Sequence, residues 1–294
     1  MSFSKTATSR IFLDLPVDCR TEKAMSNGDY HDPQHGWVAG SRQSAPPPSA
    51  VSKVFHAVMD EGPFDDAQSE LQWWDQLPSV PAVTSLFLRQ QNRRRWNPDS
   101  LAHMFARFPR LQDVHYEPWR EWNFLQRETD RDASYYFFEI QPSWEWPNLL
   151  SLVLTSKLLT PDENPTDINA ILQAAALAAM KMPRLKTMEI WNGRKGLAAL
   201  FRYQALRNVQ QAVVLWRGTW DLAMEPPLIQ AWEAVMHQYD GRRLDLVQER
   251  LDETAIKSHG DALSCLMLSS QVIRPISLQQ IQMEQKALEG ADTI

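Results

Sequence analysis

The chain has 294 residues, a formal net charge of −6 and 44% hydrophobic residues, the profile of a globular protein with a sizeable core. The acidic balance argues against a general nucleic-acid binder, and Cys19 and Cys265 are too few for a disulfide framework or a zinc site of their own. No apolar run reaches the roughly 20 residues that span a bilayer. No apolar block follows the start as in a secretory signal, so the expected setting is intracellular, cytoplasmic or nuclear, with no membrane and reduced thiols. Twelve tryptophans suggest a large core or a sticky concave face.

In chain order, residues 11–15 (IFLDL) form an apolar run that predicts an edge strand. Residues 26–49 are rich in Gly, Asp, Ser and Pro and read as loop or partly disordered. Residues 50–59 place Val51, Val54, Phe55 and Val58 at helical spacing, and residues 67–76 predict a second helix around Leu71, Trp73 and Trp74. Pro78 and Pro81 precede a strand over 83–88. Residues 98–108 predict a helix with Asn97 or Asp99 as N-cap, ended by Pro109. A strand on Leu111, Val114 and Tyr116 follows, then a partly helical stretch over 117–131, and a strand on Leu149, Leu152 and Leu154.

Residues 167–182 form an alanine-rich helix capped by Thr166 or Asp167. The next strand carries Leu185, Met188 and Ile190; Met188 and Ile190 are two apart and share a face toward that helix, which puts Glu189 on the other, open face. A short helix is expected over 196–204, a strand over 212–215, and a helix over 226–239 that starts on prolines. Leu244 and Leu246 mark a further strand, and 253–259 a helical turn. A last strand is expected on Leu263, Leu266 and Leu268, with a closing amphipathic helix over 277–289.

The expected strands start at 83, 111, 149, 185, 212, 244 and 263. Strand–helix units at such intervals suit a stacked array in the manner of leucine-rich repeats, which run at about 20–29 residues. Several intervals here are longer, and the Asn or Cys of the standard repeat is replaced by Lys157, Gly193 and Gln271. The predicted fold class is therefore α/β, an irregular leucine-rich-repeat-like array of strand–helix units, preceded by an N-terminal segment over 1–50 and occupying 51–294. The alternative is an open doubly wound α/β sheet, although no Gly-x-Gly-x-x-Gly or phosphate loop supports a nucleotide site in it.

Residues 77–96, 105–123, 182–203, 216–235, 256–261 and 272–284 carry motifs (LPSVPAVTSLFLRQQNRRRW and MPRLKTMEIWNGRKGLAALFRY among them) in which the chain resembles a family of uncharacterised filamentous-fungal proteins labelled as F-box-domain or domain-of-unknown-function proteins. The resemblance runs from about residue 32 onward. It implies that longer members begin with an F-box, which docks on the Skp1 adaptor of cullin ubiquitin ligases, and that the array recognises substrate. Here Leu15-Pro16-Val17-Asp18 is not followed by the apolar helical periodicity an F-box needs, so no Skp1 binding is expected. Between 132 and 143 the chain is also shorter than the family.

The candidate partner-binding residues are Arg93, Arg94 and Arg95, a basic run beside Trp96; Trp119, Arg120 and Trp122, residue types favoured at interface hot spots; and Glu189 with Trp191 on the expected open face. A solvated turn accounts for the arginines better than a phosphate or an acidic partner does, and wedging between repeats accounts equally for the tryptophans, including Trp144, Trp146, Trp216 and Trp220. The seven histidines are scattered and form no His-x-x-x-His pair. Lys257-Ser258-His259-Gly260-Asp261 holds Ser, His and Asp together, but a hydrolytic triad converges from separate segments, so a turn or helix cap is expected. Asn192-Gly193-Arg194-Lys195-Gly196 lacks the phosphate-loop spacing and reads as a helix entry loop. No catalytic residue, metal or cofactor is assigned. The expected function is that of a non-enzymatic protein-interaction domain; the alternatives are an enzyme of unrecognised α/β fold and a truncated product without independent function.

Overall fold

A computed structural model describes residues 9–12, 37–38, 41–42, 67–88, 98–116, 138, 145–239, 241–269 and 278. In chain order the elements are β1 (Ser9–Phe12), a small ribbon of β2 (Trp37–Val38) and β3 (Ser41–Arg42), α1 (Ala67–Gln76), β4 (Val83–Leu88), α2 (Pro98–Ala106), β5 (Asp113–Tyr116), β6 (Ser151–Thr155), α3 (Pro165–Ala179), β7 (Thr187–Arg194), β8 (Leu197–Leu206), β9 (Gln211–Gly218), α4 (Pro226–Gln238), β10 (Arg243–Arg250) and α5 (His259–Leu266). The chain is mixed α/β.

Among the described residues the main sheet has eight strands, in the order β1-β4-β5-β6-β7-β8-β9-β10. Strands β1 through β7 of this sheet run parallel, β8 runs antiparallel to both neighbours, and β10 returns parallel to β9. The order never reverses, so the crevice that a doubly wound sheet opens at its switch point is not formed. Successive crossovers advancing in one direction with one hand place their helices on one face. Accordingly, Trp74 of α1, Leu101 and Phe105 of α2, Ile168 and Leu172 of α3, and Leu228 and Trp232 of α4 share one core with the sheet.

Alternation sets that core. Leu152 and Leu154 pair in register with Met188 and Ile190, and all four are fully buried. They meet Ala175, Ala176 and Ala179 of α3, whose small side chains let helix and sheet approach closely. The expected inward direction of Met188 and Ile190 is thus observed. Trp232 lies against Phe201 and Tyr203 of β8 at ring-centroid distances of 5.3 and 4.7 Å. Buried Asn169 is fully used: its Nδ2 donates to the Pro165 and Ala223 carbonyls (2.8 and 3.1 Å) and its Oδ1 accepts from the Glu225 N–H at 2.9 Å. It joins α3 to the chain entering α4.

Four local expectations are corrected. The N-cap of α3 is Asn164, whose Oδ1 accepts the Thr166 N–H at 3.0 Å; Thr166 and Asp167 lie inside the first turn. Asp99 likewise lies inside α2. Residues 197–206 are strand rather than helix. Leu197 through Phe201 are buried on both faces, so the run has no alternation to mark it as a strand. Residues 263, 266 and 268 do not form a strand, because 259–266 is helical; spacing of three suits a helix as well as a Leu-x-x-Leu-x-Leu strand. The helices expected over 50–59, 117–131 and 277–289 fall wholly or mainly outside the described residues.

Candidate interaction face

The face opposite the helices carries Val153 and Thr155 of β6, Glu189, Trp191 and Gly193 of β7, Ala198, Leu200, Arg202 and Gln204 of β8, and Val213, Leu215 and Arg217 of β9, by strand register. This face was expected to be open at Glu189 and Trp191. Both are fully buried. The short helix α5 lies across it, and Ala262, Leu263 and Leu266 cluster with Val153, Trp191, Ala198, Leu200 and Ile256.

Polar groups fasten both ends of α5. Arg202 Nε meets Glu189 Oε1 at 2.5 Å, and the two residues are cross-strand partners. The same carboxylate accepts the Ser269 N–H at 2.9 and 3.2 Å through its two oxygens. Arg202 Nη2 donates to the Met267 carbonyl, where the chain leaves the helix through a left-handed residue with φ 52°. Arg217 Nη1 donates to the Leu266 carbonyl at 2.8 Å while its Nε reaches Glu249 Oε2 at 2.6 Å. Two guanidinium groups thus satisfy carbonyls that the end of a helix leaves unpaired, at the negative end of its dipole.

At the other end Ser258 is the N-cap, its Oγ accepting the Asp261 N–H at 3.1 Å. His259 Nδ1 faces the Gly193 carbonyl at 2.9 Å and, since a carbonyl only accepts, carries the proton there. Its ring stacks on Trp191 at 5.7 Å. A side chain at Gly193 would bring a Cβ within 2.8 Å of Ala262 Cβ, so only glycine permits this approach. The expected helix cap in Lys257-Ser258-His259-Gly260-Asp261 is what forms. Thr155 Oγ1 and Trp191 Nε1, register partners beneath this layer, are buried without hydrogen-bond partners among the described residues, a local desolvation cost.

Accessible on this face are Val247 and Glu249 of β10 and a row along its amino-terminal margin. Asp113, Ser151, Thr187, Gln204, Val213 and Asp245 follow one another in register across β5, β6, β7, β8, β9 and β10. Gln204 is exposed and the others are half-buried. Asp113 Oδ2 also accepts from Ser85 Oγ at 2.9 Å, which extends the polar row to β4.

The remaining sequence candidates divide. Arg93, Arg94, Arg95, Trp119, Arg120 and Trp122 lie outside the described residues. Trp216 is buried, edge-on to Trp220 at 5.2 Å, and its Nε1 donates to the Trp220 carbonyl at 2.9 Å, an internal wedge. Residues 192–196 do not enter a helix: they end β7 and turn into β8 through Lys195 and Gly196, the latter at φ +71°. Sequence reasoning missed Arg202 and Arg217. The available signal was a lone charge inside each of three adjacent apolar strands, with Glu189 opposite in sign to both arginines. Among the described residues no group of three or more His, Cys, Asp or Glu stands in position to hold a metal ion, and no helix is long and apolar enough to cross a membrane.

Residues 129–274, just under half of the chain, are similar to a family of unknown function (DUF6546). This span takes in β6 through α5 and so the whole fastening of the short helix. No curated protein and no solved structure matches.

Proposed function

We propose that this chain is a non-enzymatic protein-interaction domain, built as an irregular leucine-rich-repeat-like array, that meets its partner along the accessible row from Asp113 to Asp245. The observation that carries this reading is the row itself. It crosses six adjacent strands in continuous register and is mostly polar, on a face whose centre is covered by α5. Carboxylates near its two ends and hydroxyl and amide groups between them suit a protein surface rich in hydrogen-bond donors. A sheet whose strands follow chain order, with α1 to α4 on one face, supports the array reading. The sequence likeness to fungal F-box proteins supports descent from a substrate-recognition part, by analogy.

The test is a double substitution, Thr187→Arg with Gln204→Arg. Thr187 is half-buried and Gln204 exposed, and the two arginines would face each other across β7 and β8, so the double variant is expected to lose about 1 kcal/mol and to stay folded. Cross-linking capture from cells is expected to retain a protein on the wild-type chain and lose it on the double variant, with no Skp1 on either. A captured set unchanged by the double variant overturns this binding face, and stoichiometric Skp1 overturns the separation from ligase assembly.

A further inference from the structure

The sheet ends at β10, which pairs with β9 along its full length and, among the described residues, with no strand on its other edge. Six of its eight residues are exposed, including Leu246 at 45% and Val247 at 36%. An open edge of this length is a template for another strand.

The hydrogen-bonding groups that face outward follow from the ladder. The Thr219 N–H donates to the Ala198 carbonyl at 2.9 Å, continuing the β8–β9 pairing, so odd residues of β9 face β8 and even ones face β10. The Leu251 N–H donates to the Gly218 carbonyl at 2.8 Å, which turns the odd residues of β10 toward β9. Leu244, Leu246, Gln248 and Arg250 therefore present their N–H and C=O groups to the open edge.

We propose that two copies of this chain pair edge to edge through β10, antiparallel, about a two-fold axis at Leu246. An isologous contact needs a self-complementary strand, and the outward pattern allows only registers that pair even residues with even ones. Centring on Leu246 sets Arg243 of each copy opposite Glu249 of the other, Leu244 opposite Gln248 and Leu246 opposite itself. Shifting the centre to Val247 sets Asp245 against Glu249 twice; shifting it to Asp245 sets that carboxylate against itself. Of the two registers that pair seven residues of β10, only the Leu246-centred one sets opposite charges of the strand face to face; at its ends Arg250 meets Arg242, just outside the strand, a like-charged contact that the two Arg243–Glu249 pairs must outweigh. Arg243 and Glu249 fall in the non-hydrogen-bonded positions, where facing side chains come closest. Their side chains are 68% and 44% exposed in the single copy.

The experiment uses the full chain in sedimentation velocity over a dilution series. Wild type is expected to show a concentration-dependent dimer. Arg243→Glu alone and Glu249→Arg alone each turn two attractive pairs into two repulsive ones and raise the dimer dissociation constant about tenfold or more. An equimolar mixture of the two variants restores opposite charges at both positions and is expected to recover the dimer. Because Glu249 also contacts Arg217, Leu246→Cys supplies a variant that leaves this contact intact. Under mild oxidation it forms a covalent dimer, since facing Cα atoms in such a pair lie about 5.5 Å apart, whereas Gln248→Cys does not. A wild type that stays monomeric, variants that dimerise as wild type does, or a mixture that fails to recover would each overturn the proposal, as would cross-linking through Gln248→Cys in preference to Leu246→Cys.

Discussion

The two faces of the sheet are closed by different chemistry. On the helix face a continuous apolar core runs from Trp74 to Met236 and engages α1, α2, α3 and α4. On the opposite face one helix of eight residues contributes three apolar side chains, Ala262, Leu263 and Leu266. A helix that short does not persist alone in water. It is held because Arg202, Arg217 and Glu189 fasten one end and Ser258 and His259 the other. The helix face is thus a cooperative core, whereas the opposite face carries a latch whose opening need not unfold the rest.

That contrast breaks or holds on a pair of substitutions. Trp232→Ala removes the largest side chain shared by α4 and β8 and is expected to cost about 3–5 kcal/mol, with amide exchange rising across the whole sheet. Glu189→Ala leaves Arg202 without its counter-charge and frees the Ser269 N–H, at about 2–3 kcal/mol, below the usual range for a buried pair because Arg202 keeps 15% exposure. Its effect should be local: the amides of Ala262 and Leu263 exchange faster while those of α4 keep wild-type rates. Equal acceleration in α4 would show that the two faces form one cooperative unit.

The same contrast divides what was legible in the sequence. Leu152, Leu154, Met188 and Ile190 announced the helix face because strand alternation and the alanine spacing of α3 are local patterns. Alternation also placed Glu189 correctly, on the face away from Met188. It could not show that this face is covered, since the cover arrives with residues 259–269, seventy positions later. Burial is set by such non-local contacts. Strand β8 was hidden for a related reason. With Leu197 to Phe201 packed on both sides, its residues are uniformly apolar, and Ala and Leu then read as helix formers. The polar row from Asp113 to Asp245 was equally invisible, because it exists only once six separate strands stand in register.

Alkaline pH probes the helix face selectively. Burial pushes the Tyr203 hydroxyl from 10.0 up to about 12; Arg207 pulls it down and Tyr239 raises it further. The fold therefore favours the neutral hydroxyl. This contribution is fully present below pH 10 and is lost as pH rises from 10 to 12. A shift of that size corresponds to about 3 kcal/mol across the window. Tyr203→Phe should keep the stability at neutral pH close to wild type and flatten the alkaline limb of denaturation midpoints against pH. Among the described residues the α5 cluster contains no tyrosine. The local opening of α5 should therefore cost the same through this range while global stability falls, and selective release of α5 before the core would count against the assignment to Tyr203.

The smallest effect tests how the latch begins. Ser258 lies at the buried start of α5 and its Oγ accepts the Asp261 N–H at 3.1 Å. Ser258→Ala leaves that N–H without a partner and should cost about 1 kcal/mol, whereas Ser258→Gly should cost only a few tenths. Both losses belong to the local opening of α5, so they should appear in exchange at Ala262 and Leu263 and leave the amides of α3 unchanged. The His259–Gly193 contact lies one residue further on and survives either substitution. If Ser258→Ala leaves α5 exchange at wild-type rates, the helix start is set by that contact and by the close fit of Ala262 over Gly193. The cap would then add geometry to the latch but no stability.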